Sequence, residues 1–329
     1  MSATPVLPAP GGITAGEEQI TGSAHNGAVK RAAAANRKAR RRARPQLASL
    51  GRTNWLARAG AFVLGTIWLC VVLFPIYYML LTSFRSQSQY LTANAWLPED
   101  GLSLSSWSTI FSGGTGLWPD FVHSVIFAAG TIIVVATLSL VAAFRIVQRG
   151  SRFSAVSFRL ILFGLAVPIQ AIIIPIYVIT LKMHIYDSLF GLVLVTSASL
   201  IAVAVLLTVN YVRMIPNELY DAMAVDGARE RTIFSRLVWP LSRPVVGVVS
   251  IFAGLGAWNN FLLPLILTQS NSDTVLPLGL FKVSSTASGY GVNVPVVMAG
   301  VVFSVLPLFF LYLALRRQFV RGIGGFALR

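Results

Sequence analysis

Six runs of apolar residues, at 59–84, 121–144, 160–181, 188–212, 245–268 and 295–315, alternate with polar stretches along this chain. A helix rises 1.5 Å per residue and the hydrocarbon layer is roughly 30 Å thick, so about 20 apolar residues make one crossing. The pattern predicts an all-α membrane protein with six transmembrane helices over 59–329, preceded by a disordered basic extension over 1–58 that has no apolar period. One polar stretch, IPNELYDAMAVDGARERTIFSRLVWPLSRP at 215–244, keeps an apolar rhythm: Leu219, Ala222 and Met223, then Ile233, Phe234 and Leu237. It predicts a helical hairpin between the fourth and fifth spans. Pro216 suits a first helical turn. Glu218 and Asp221 complement the positive end of the helix dipole. Asp226-Gly227 is a turn, because glycine accepts positive φ and aspartate can cap the helix that follows. The second helix is expected over 228–238, stopped by Pro240, which disfavours helical geometry at Trp239.

Composition supports the membrane reading. The chain is 55% hydrophobic and 11% charged, against roughly 25% charged in soluble domains. The net charge of +15 is read through position. Ten Lys and Arg precede the first run, four lie at 145–159, five at 213–244 and four from Arg316 onward, while the intervening loops hold only Arg85, Lys182 and Lys282. Such asymmetry places both termini and the hairpin in the cytoplasm. The basic block 30–44 is then an orientation signal beside anionic lipid, with no folded reader to suggest nucleic acid. The first run exceeds the apolar length of a secretory signal peptide. The lone Cys70 lies within it and permits no intrachain disulfide.

The six runs contain none of the eleven carboxylates and no Lys or Arg. His123, two residues into the second run, is the sole titratable candidate for ion coupling, and it is expected at the interface. No G-x-x-x-x-G-K-[ST] phosphate loop, zinc-ligand spacing or Ser-His-Asp set is present, so no catalytic or metal site is expected. The runs do hold helix breakers and amides: Pro168, Gln170 and Pro175 in the third, Trp258, Asn259, Asn260 and Pro264 in the fifth. Broken helices with amide side chains suit a route for an uncharged hydroxylated solute. The same residues also serve interhelical hydrogen bonding.

The hairpin resembles the E-A-A loop of ATP-binding-cassette (ABC) importer permeases. There, Glu-Ala-Ala is followed four residues later by Gly, then nine residues, then Ile-x-Leu-Pro. Here Asp221, Ala222 and Met223 occupy the triplet, Gly227 the glycine, and Leu237 to Pro240 the tail. The wider resemblance, over about 59–329, is to the smaller permease of maltose-type carbohydrate uptake systems, through PIQAIIIPIY, WNNF, VLPLGL and the C-terminal RQFVRGIGGFALR. It implies a cell-membrane subunit that moves a sugar or oligosaccharide inward by alternating access. The implied partners are a second similar permease, two copies of a cytoplasmic ATPase that carries the ATP and Mg, and an external solute-binding protein. Glu218, Asp221, Ala222, Met223, Asp226, Gly227, Leu237 and Pro240 would couple to the ATPase. Gln170, Trp258, Asn259 and Asn260 would line the solute path. A permease for a non-sugar solute and a self-contained secondary carrier are the alternatives.

Overall fold

A computed structural model describes residues 55–98, 101–112, 117–270, 273–285 and 292–324. The extension expected over 1–58 lies outside the described residues except for 55–58, as do the last five residues of the tail. The chain divides into two units, Met1–Phe74 and Pro75–Arg329. In the first, residues 55–74 belong to helix α1 (Trp55–Ser83), which ends in the second unit.

The described residues are helical and contain no strand. After α1 come α2 (Gln87–Thr92), α3 (Ser105–Phe111), α4 (Leu117–Arg149) and α5 (Arg152–Phe163). Then follow α6 (Ile173–Lys182), α7 (Leu189–Val212), α8 (Asn217–Val225), α9 (Glu230–Ile233) and α10 (Trp239–Trp258), with α11 (Leu262–Leu267), α12 (Leu276–Ser285) and α13 (Val294–Gly324) last. Among the described residues, four helical stretches are long and apolar enough to cross a membrane: Arg58–Ser83, Leu117–Gln148, Leu189–Val212 and Glu230–Trp258. The bent pair α5–α6 would make a fifth.

The core of the second unit is built on α4, which packs along both α7 and α10. Near the hairpin, Leu140 and Phe144 meet Val205, Val209 and Ile233. Farther along, Val135 meets Ala204, Val249 and Ala253. Beyond that, Phe127 meets Leu192, Ala257 and Leu263. Glycines bring these helices close: a Cβ on Gly130 would lie 3.1 Å from Val193, and one on Gly254 would lie 3.0 Å from Ile132. Close approach through small residues is the usual means of joining helices in lipid, where hydrophobic burial gives no net drive.

Two of the runs are broken where their helix breakers lie, and one expected element differs. The third run is not one straight span. Its two helices meet at 91°, because Val167 and Pro168 are extended (ψ 110° and 130°) between two short 3₁₀ turns. Proline pushes its predecessor out of the α region, which explains the break. The fifth run likewise stops at Trp258 and resumes at Leu262. The second hairpin helix does not end before Pro240. It starts at Glu230, passes through a π-helical turn at Phe234–Val238, and runs into α10. Trp239 N–H bonds Phe234 O, five residues back, so the turn before Pro240 is widened. The proline is carried by a local change of pitch rather than a stop.

Candidate functional site

Helix α8 starts after Pro216 (φ −57°, ψ 135°), one position outside the helix rather than within its first turn. It ends in a Schellman motif: Ala228 N–H bonds Met223 O at 2.9 Å, and Gly227 N–H bonds Ala224 O at 3.0 Å. Gly227 has φ +70°, the left-handed conformation that the sequence required of it. Glu218, Asp221, Ala222, Asp226 and Gly227 are exposed together on α8 and its turn. Met223 and Tyr220 face inward and pack on the cluster around Phe144 and Val209. Among the described residues the buried Tyr220 hydroxyl has no hydrogen-bond partner, and burial pushes its phenol pKa up.

The second arm is anchored more firmly. Ile233 is buried, and the Phe234 ring lies 5.4 Å from that of Phe144 on α4. Glu230, the first residue of α9, accepts a charge-assisted hydrogen bond from Arg145 of α4. Leu237 packs into the same cluster, whereas Pro240 is exposed. The eight residues predicted for coupling therefore separate. Five form an exposed tip, Met223 and Leu237 seat the hairpin on the core, and Pro240 marks the pitch change.

The four residues predicted for a solute route are only partly gathered. The two helix breaks are drawn together, since Ile169 and Ile173 share a cluster with Ala257, Phe261 and Leu263. Gln170 is exposed in the 3₁₀ turn of the third run. Asn259 is exposed and its Nδ2 donates to Leu255 O at 3.0 Å; Asn260 Oδ1 accepts from Leu263 N–H at 3.2 Å. These amides cap the two sides of the break. Trp258 is 8% exposed, packs edge-on to Phe121, and spends its only donor on Ser304 O at 3.2 Å. It is a packing residue in this conformation. A cavity of about 820 Å³ lies between the α5–α6 break and α7, lined by Leu165, Val167, Ile176, Thr180 and Ser199 among others. Its walls are mostly aliphatic. Thr180 and Ser199 give their hydroxyl protons to backbone carbonyls of their own helices, at 2.8 and 2.7 Å.

The far end of α4 carries polar groups, of which Asp120 lies outside the apolar run that hydropathy marked. The helix starts at Leu117, so Asp120 stands in its first turn and is 7% exposed. Its carboxylate rests on the backbone of Gly279 in α12: a Cβ there would be 1.8 Å from Asp120 Oδ2. His123, expected at an interface, has Nδ1 at 3.1 Å from Thr274 O. Ser124 Oγ accepts from Leu276 N–H at 2.8 Å, and Lys282 Nζ donates to Thr274 Oγ1 at 2.8 Å. Beside this group, Asp187 Oδ1 accepts from Gln269 N–H at 2.8 Å and from Ser270 N–H at 3.0 Å. The Ser270 amide foremost, with those of Gln269 and the Ser270 hydroxyl, holds the Asp187 pKa below its ordinary value against a smaller effect of burial. The signal for Asp120 was local: Pro-Asp directly before an apolar run is a helix-start pattern.

The family described as binding-protein-dependent transport system inner membrane component matches residues 135–325. A putative ABC transporter permease protein of Caldicellulosiruptor sp. (strain Rt8B.4) is 30% identical over 262 residues, covering 80% of this chain and 94% of that protein. An arabinooligosaccharides transport system permease protein of Bacillus subtilis (strain 168) is 31% identical over 257 residues, covering 77% and 90%. Among solved structures, a chain of a bacterial ABC transporter involved in the import of the acidic polysaccharide alginate superposes with a TM-score of 0.72 at 19% identity, over 81% of this chain and 98% of that one.

Proposed function

This chain belongs to the inner membrane components of binding-protein-dependent transport systems, and from that premise we propose that it is one permease subunit of an ABC importer for a sugar or oligosaccharide. The sugar assignment is supported by the arabinooligosaccharide relative and by a membrane region whose exposed polar groups at the helix breaks are uncharged amides. The observation that carries the mechanism is the hairpin. A tip bearing Glu218, Asp221 and Asp226 stands out from the core on an apolar base, in the form of a part that docks into a separate protein. In this reading the tip enters a cleft of a cytoplasmic ATPase, and both termini share that side. ATP and Mg reside on two copies of the ATPase, and a second, similar permease completes the solute path. An external binding protein delivers the cargo. ATP binding favours one of two arrangements of the permease pair, so the hairpin transmits a bias on an equilibrium.

The test is reconstitution in proteoliposomes with a candidate second permease, ATPase and solute-binding protein. Solute-stimulated ATP hydrolysis and uptake are expected only when all are present. Uphill uptake by this chain alone would identify a self-contained carrier and overturn the proposal.

A further inference from the structure

Beside the chain link of its first arm to α7 through residues 213–216, the second arm of the hairpin is joined to the membrane helices by two routes of different stiffness. The covalent route runs from Glu230 up the helix into α10, through the π-helical turn Phe234–Val238, then Pro240 and Pro244. Each proline removes a backbone hydrogen bond from the ladder, and π turns and prolines are where helices bend. The route is a joint. The lateral route has none of these features. Glu230 is paired with Arg145, and the adjacent Phe144 packs against Phe234 with ring centroids 5.4 Å apart. From Arg145 the path is α4 itself, a 33-residue helix without a break that packs along α7 and α10. Its other end holds the 274–282 segment through His123, Ser124 and the Asp120–Gly279 contact. The ion pair is about half exposed, 47% on each side. Pairs so wetted add little to folding stability. Its value lies in where it fixes the arm.

We propose that Arg145 is a positioning residue for energy coupling: through Glu230 it clamps the second arm of the hairpin to α4, so that displacement of the hairpin moves α4 directly and not only through the jointed helix. The inference rests on the reading of the hairpin as an ATPase-docking element.

The experiment uses the complete transporter, reconstituted with its partners. Arg145→Gln, Glu230→Gln and the exchanged pair Arg145→Glu with Glu230→Arg are compared with the unaltered chain. Three quantities are read: melting temperature, co-purification of the ATPase, and solute imported per ATP hydrolysed. Each single variant should keep its melting temperature and its ATPase, yet import less solute per ATP by on the order of fivefold, the lower range for a coupling between sites. The exchanged pair should recover most of the loss. Single variants with unchanged solute per ATP, an exchanged pair as poor as the singles, or singles that no longer hold the ATPase would each overturn the role assigned to Arg145. If the unaltered chain itself fails to retain any ATPase, the docking reading fails, a result distinct from all of these.

Discussion

Replacing Gly227 separates two reasons for a glycine at the hairpin turn. Its φ of +70° lies in the left-handed region, and a Cβ there would meet nothing within 4 Å in the isolated chain. The cost of Gly227→Ala is therefore backbone strain alone, about 1–2 kcal/mol. The reduced freedom of the unfolded chain offsets roughly 0.4–1 kcal/mol of that. The net loss is about 1 kcal/mol, a shift of roughly 2–4 °C or less in melting temperature for a chain of this size. Asparagine visits the left-handed region more readily, so Gly227→Asn should melt close to the unaltered protein. Docking is a different matter. If the turn packs closely on the ATPase, any side chain is excluded, and Ala and Asn should both weaken ATPase co-purification, with Gly227→Asp abolishing uptake while membrane insertion persists. The assay is thermal melting in nanodiscs alongside ATPase pull-down from the same preparations. An Asn variant that binds and transports normally would refute close approach, and an Ala variant with an unshifted melting curve would refute the strain argument.

Gly279→Ala should lower stability by about 1–3 kcal/mol, because the new Cβ would lie 1.8 Å from Asp120 Oδ2 and one of the two must yield. Asp120→Ala in the same chain should restore part of the loss, and a double variant that melts no higher than Gly279→Ala would refute the contact. Tyr220→Phe removes a buried hydroxyl that has no partner among the described residues, so melting should stay level or rise by about 1 kcal/mol equivalent; a clear fall would show that the hydroxyl is satisfied. Asp187→Asn tests the charge on the loop between α6 and α7. A carboxylate with a depressed pKa stabilises the fold fully above its ordinary value of 3.8 and loses that contribution as pH falls through the depressed value. The variant should thus melt lower at neutral pH and converge on the unaltered protein in acid; a gap that widens in acid would contradict the sign.

What hydropathy could read was length and spacing. The long apolar stretches at 59–84, 121–144 and 188–212 are helices, and the Gly227 turn has the φ that its sequence demanded. The α5–α6 corner was legible in Pro168 as a break but not as a 91° change of direction, since the angle depends on how Ile169 and Ile173 pack on the distant Ala257 and Leu263. Pro240 was misread because a local rule predicts a stop, whereas burial of Ile233 just before the turn and of Val238 at its end favours continuing the helix at altered pitch. Arg145 and Glu230 are 85 positions apart, and no spacing rule links them. Trp258 was expected along the solute path, and in this structure its indole N–H donates to Ser304 O, a contact 46 positions away that no local pattern shows.

The widened turn at Phe234–Val238 also sets a rotational phase. Each residue of an α-helix advances about 100° around the axis, and a π turn accommodates roughly one residue more than its α equivalent. Excising a single residue there would let an ordinary helix form with its two flanks in nearly the same phase, whereas rewinding all of its residues at α pitch would swing everything N-terminal to it by about 100° relative to α10. The azimuth of the whole elbow, and with it the side on which a neighbour could be engaged, thus depends on whether one surplus peptide unit is wound as a wide turn or as ordinary helix.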